Sequence, residues 1–186
     1  MKFPPLALLL LALASVSVQA QAPNPYVTFE SATVTAGYAL PGSNAVVTAS
    51  FKIKEGYYLH SNRPLVRQAT PTFAQVGQNA SARAYPVAYS FPAAKKTLPG
   101  VAQPVEVYEG LLTLQVPVVI GPAAAFPIVL PGVLTFVPMQ DKTHVAADRL
   151  QRVNYSVTIA RGTNLPPVNA KSPAPKAPAT KAPAKK

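Results

Sequence analysis

None of the 186 residues is a cysteine, and that absence removes whole classes of chemistry. Without a thiol there is no disulfide exchange, no cysteine nucleophile and no Cys-ligated zinc or iron–sulfur site. Six carboxylates are present: Glu30, Glu55, Glu106, Glu109, Asp141 and Asp148. Their spacing forms no evident acid–base pair, although residues distant in sequence can converge in space. No serine sits in a nucleophile-elbow pattern, and no glycine-rich loop is built to cradle phosphate. The pattern points away from an enzyme. No cofactor is expected.

The elements that would position any site read as strands. Val47, Ala49, Phe51 and Ile53 alternate with Thr48, Ser50, Lys52 and Lys54. Leu112, Leu114, Val116 and Val118 alternate with Thr113, Gln115 and Pro117, and Val153, Tyr155, Val157 and Ile159 with Arg152, Asn154, Ser156 and Thr158. Period-2 alternation gives each strand one apolar and one polar face. Phe51, Ile53, Leu114, Val116, Tyr155 and Val157 are therefore expected to point inward. Weaker strand patterns cover 26–35, 57–60, 72–76, 84–91 and 126–137. Turn signals between strands include Pro41-Gly42, Glu55-Gly56, Pro99-Gly100 and Pro131-Gly132. Glu55-Gly56 is expected to form a hairpin turn, Lys95-Lys96 to lie in a solvated loop, and a helical turn or two to fall near 143–150. Short strands at this spacing predict an all-β chain folded as an antiparallel β-sandwich.

Both ends differ from this middle zone. Residues 1–20 carry Lys2, then an apolar run over 6–18, then small residues at Val18 and Ala20. This is the pattern of a secretory signal peptide cut after Ala20, so a soluble periplasmic or secreted protein is expected. Apolar residues 116–137 are broken by Pro117, Pro122, Pro127 and Pro131, which excludes a regular transmembrane helix. Residues 23–162 form the expected domain. Residues 163–186 are Pro, Ala and Lys with few large apolar side chains, the composition of a disordered, partly polyproline-like tail. Of seventeen basic residues, five are lysines of this tail, and the formal charge is +11. In an exported protein such a tail is suited to anionic envelope surfaces rather than to nucleic acid.

Three segments resemble the N-terminal domain of the thiol–disulfide reductase DsbD. They are 51–64 (FKIKEGYYLHSNRP), 105–114 (VEVYEGLLTL) and the stretch from Gly132-Val133-Leu134-Thr135-Phe136 onward, with Tyr85-Pro86 where that family often has Tyr-Pro. The likeness spans about 26–160 and implies an immunoglobulin-like sandwich. In the family, two cysteines separated by four residues near the end of the domain form the redox pair. On an ungapped alignment Met139 and His144 occupy those positions here. The resemblance therefore implies the fold and not the reductase activity.

The resemblance also nominates a site. Tyr57, Tyr58 and Tyr108 would line a peptide-binding face, as aromatics near the family's active site do, or simply pack as strand aromatics. Phe136, Met139 and His144 would form a patch at one end of the sandwich. A thioether beside an imidazole suits copper, above all Cu(I), with His60 as a third donor if the fold brings it near. Neutral replacement of a lost cysteine pair is the alternative. The expected partner is a periplasmic or envelope protein, of thioredoxin-like or cytochrome-maturation kind, held on a sandwich edge or on the aromatic face by strand addition.

Overall fold

The computed structural model describes residues 23–162 apart from Gln68 and Ala93. The expected signal peptide and the Pro/Ala/Lys tail lie outside the described residues.

Among the described residues there is no helix. The main sheet joins β1 (Val27–Gly37), β2 (Asn44–Ile53), β9 (Leu111–Ile120) and β5 (Ala82–Ala84) in that order, with β6 (Ala88–Tyr89) also pairing with β9. Facing it is a sheet of β12 (Gln151–Ile159), β10 (Ile128–Phe136) and β4 (Phe73–Val76). A third, smaller sheet runs β11 (Met139–Gln140), β3 (Tyr57–His60), β8 (Val105–Tyr108) and β7 (Ala94–Lys96). Every pairing is antiparallel. The fold is all-β, an antiparallel β-sandwich as the alternation predicted.

All six residues expected to face inward are buried. Their centre is an aromatic triad that joins the two large sheets. Phe51 meets Tyr155 edge-on at 5.0 Å, and Phe29 lies 5.4 Å from each of them. Tyr155 stands opposite Gly132 in the β10–β12 ladder. Its ring covers that glycine so closely that a Cβ there would fall 2.3 Å from Cζ. Such cover replaces the cross-strand contact that a glycine cannot make.

Glu55-Gly56 makes a turn but not a hairpin. Tyr57 N–H donates to the Lys54 carbonyl at 3.1 Å, and Gly56 has φ of 80°. A two-residue hairpin loop needs positive φ at its first central residue, and Glu55 does not have it. The turn instead bends one ribbon from sheet to sheet. β2 pairs with β9 on one side of the bend and β3 with β8 on the other, while Ile53 N–H donates to Gly110 C=O at the bend itself. The segment 84–91 is likewise two short strands and not one, because Pro86 has no N–H to give the ladder. Residues 143–150 form turns and an isolated bridge, Met139 to Ala146, and no helix. No described helix is long and apolar enough to cross a membrane.

Candidate functional site

Strand β3 places the tyrosines. Neighbouring strand residues point to opposite faces, so Tyr57 and Tyr58 cannot share one. Tyr57 turns toward the main core, edge-on to Tyr26 at 5.1 Å, with the Lys54 ammonium 5.6 Å from its ring centre. Tyr58 turns the other way, into a second cluster with Ala69, Leu98, Val105, Val107 and Met139.

The second cluster is organised around the Tyr58 ring. Met139 of β11 stands opposite Tyr58 in the ladder. Beyond it the chain doubles back, with Gln140 N–H bonded to Val145 C=O and Ala147 N–H to Pro138 C=O. His144 occupies the tip with φ of 54°, a left-handed backbone for a non-glycine residue, held by its N–H to Gln140 C=O at 2.9 Å. This brings His144 Nδ1 to 3.3 Å from the Tyr58 hydroxyl. Met139 and His144 thus sit on one small hairpin, against the same tyrosine.

Lys96 closes the cluster from β7. Its ammonium lies 5.5 Å from the Tyr58 ring centre and bridges two carboxylates, Glu109 at 2.5 Å and Asp141. Hydrogen bonds to Asp141 and Glu109 hold the Lys96 pKa above its ordinary value despite burial, and the bond from Lys96 holds Asp141 below its own. Burial raises the Tyr58 hydroxyl, partly opposed by Lys96. Lys95-Lys96 is therefore strand and not solvated loop. Lys95 keeps only a long, exposed pairing with Glu106 at 3.8 Å, whereas Lys96 is mostly covered. Nothing in the sequence distinguished these two lysines beyond their alternate positions.

His60 lies two residues along β3 from Tyr58, with ring centres 5.9 Å apart. It is 3% exposed, and among the described residues neither ring nitrogen meets a hydrogen-bonding partner. Burial lowers its pKa; the Thr70 backbone opposes that shift without reaching hydrogen-bonding geometry.

The six nominated residues therefore do not make one surface. Tyr58, Tyr108 and Phe136 have essentially no exposed area, so they cannot touch a partner in this conformation. Phe136 and Tyr108 belong to the main core, and Tyr108 donates to Asn62 Oδ1 at 2.8 Å. Met139 is also buried and His144 is half-buried, with Tyr57 on the opposite face of β3. Among the described residues no group of three His, Asp or Glu is assembled to hold a metal. Met139 and His144 alone are a thin copper donor set, and the Tyr58 hydroxyl already engages one nitrogen of His144.

No family model and no curated protein matches the chain. Solved structures similar to it do exist. One is the N-terminal periplasmic domain of ScsB from Proteus mirabilis, at TM-score 0.47 and 12% identity over 74% of this chain; the chain spans about half of that one, 47%. Another is the N-terminal domain of DsbD from Neisseria meningitidis in its reduced form, at TM-score 0.38 and 15% identity, covering 61% of this chain and 77% of that one. The second is from the family that the three sequence segments resemble. Both identities are too low to carry residue roles across.

Proposed function

We propose that this chain is an exported, non-catalytic protein-binding or adaptor module acting in envelope protein quality control or redox-protein maturation. It docks a periplasmic partner of thioredoxin-like or cytochrome-maturation kind. The observation that carries the reading is the Tyr58 end. Where the sequence resemblance puts a redox pair, Met139 and His144 lie on one hairpin against Tyr58, rimmed by Lys96, Glu109 and Asp141. With no sulfur nucleophile the end cannot exchange disulfides, so any thiol chemistry belongs to the partner. Tyr58 and Met139 are themselves buried, so the half-buried His144 and the rim of Lys96, Glu109 and Asp141 are what this end would offer a partner.

Affinity capture from an envelope extract, with mass spectrometry of what is retained, tests this. We expect His144→Ala to lose a partner that the parent chain retains. Equal retention by both would place docking elsewhere. A retained thiol oxidoreductase would make the module an accessory to disulfide exchange. Turnover of a disulfide substrate by the purified chain alone would overturn the non-catalytic reading.

A further inference from the structure

We propose that the cleft between β4 and the β5–β6 edge binds an extended, acidic peptide segment of another protein, paired at Val76, the part of the β4 edge that Tyr89 leaves uncapped. This goes beyond the Tyr58 end, since none of the six nominated residues lines the cleft.

The register decides which backbone groups of β4 are free. Among the described residues β4 is the edge strand of its sheet and pairs only with β10. Gly77 N–H donates to Pro131 C=O at 2.7 Å, which makes that pair a hydrogen-bonded one. Antiparallel pairs alternate. The Gln75–Val133 and Phe73–Thr135 pairs are then the bonded ones, and the N–H and C=O of Ala74 and Val76 point away from β10. The Tyr89 hydroxyl confirms this direction. It comes from the opposite sheet and accepts from Ala74 N–H at 2.6 Å, standing where the carbonyl of an added strand would stand. Val76 has no such cap. An exposed edge of this kind is a template for a further strand.

The space beside that edge fits such an occupant. The cleft measures about 1130 Å³ and is floored by Tyr155 and Tyr89. Phe73 and Tyr85 are about half exposed on its walls, at 52% and 46%. Exposed aromatic side chains on the walls of one opening mark an interaction surface.

Charge selects the chemistry of the peptide. Among the described residues, Arg63 is the only charged one lining the cleft, and no carboxylate lines it. A second cation, the Arg83 guanidinium, lies 5.5 Å from the ring centre of Tyr85. An extended segment bearing Asp or Glu meets these cations as its backbone meets Val76.

The test uses the purified full chain and two labelled peptides of about ten residues. Both alternate Val and Thr; one has a central Glu and the other a central Lys. Binding is read by fluorescence anisotropy, and protection of the Val76 amide by hydrogen exchange. We expect the Glu peptide to bind and to protect Val76, and the Lys peptide to bind at least about tenfold more weakly. Val76→Pro removes the outward N–H while sparing the β10 ladder, a place where an edge strand tolerates proline; it should cost about tenfold or more. Arg63→Glu, on an exposed loop, keeps the test valid if the proline variant does not fold, and it should reverse the preference between the peptides. His144→Ala should leave peptide binding unchanged, which separates this cleft from the Tyr58 end. Absence of binding, indifference to peptide charge, or full binding by Val76→Pro and Arg63→Glu would each overturn the proposal. So would a dimer that Val76→Pro dissociates with no peptide bound by the parent, since the occupant would then be a second copy.

Discussion

Phe51 and Tyr58 lie on the same bent ribbon, one on each side of its bend, and they are buried by different means. Around Phe51 the neighbours are apolar strand side chains and two aromatic rings from both large sheets. Around Tyr58 the apolar base is small, and an ammonium, a half-buried imidazole and an unpaired buried imidazole approach its ring. The first region is what a sandwich needs to fold. The second keeps polar groups that packing alone would exclude, since a buried polar group without a partner costs stability. Part of the stability available from the small sheet is thus given up at the end where docking is proposed.

The sharpest way to break this comparison is to truncate each region and compare losses. Phe51→Ala should cost about 3–5 kcal/mol, the range for deleting a buried phenylalanine, in a urea unfolding titration. A loss no larger than that of Tyr58→Ala would mean that the aromatic triad does not dominate the core. Gly132→Ala should come next, at about 1–3 kcal/mol, because the added methyl must displace the Tyr155 ring. Unchanged stability would show that Tyr155 can leave the triad freely.

Acid sharpens the contrast. Burial holds His60 below its ordinary pKa of 6.5, so the unfolded chain binds the proton more readily than the folded one. Its contribution is present above about pH 6.5 and is lost as pH falls below it. His60→Leu should flatten that part of the stability profile, while Phe51→Leu should leave its slope intact. The smallest effect is expected at Lys96. Its carboxylate partners are one-third or more exposed, so solvent screens the pairs. Lys96→Met should lower the melting temperature slightly, and added salt should shrink the difference from the parent chain. A difference that salt leaves untouched would indicate that Lys96 acts through its packing on Tyr58.

How much was legible follows from the range of the interactions. Alternation exposed β2, β9 and β12 directly, because a half-buried strand must show one apolar face whatever it pairs with. The same rule also bears on the nominated site: Tyr57 and Tyr58 are adjacent in a strand, so no single face can hold both. The bend at Glu55-Gly56 was legible as a turn only. Whether two strands joined by a turn pair with each other depends on what else is available, and here β9 and β8 take the two halves of the ribbon. Lys96 was hidden for the same reason. Its value comes from Glu109 and Asp141, which no local pattern connects to it.

By itself the sequence determined the all-β class, the identity of the core-facing residues and the absence of thiol chemistry, because each depends on residue type and short-range order alone. Only the tertiary structure decided that His144 meets Tyr58, that His60 is sealed without a partner, and that the free edge of β4 opens onto an aromatic, carboxylate-free cleft. Those features are set by register and by packing between strands far apart in the chain, where a shift of one residue would turn every side chain to the other face.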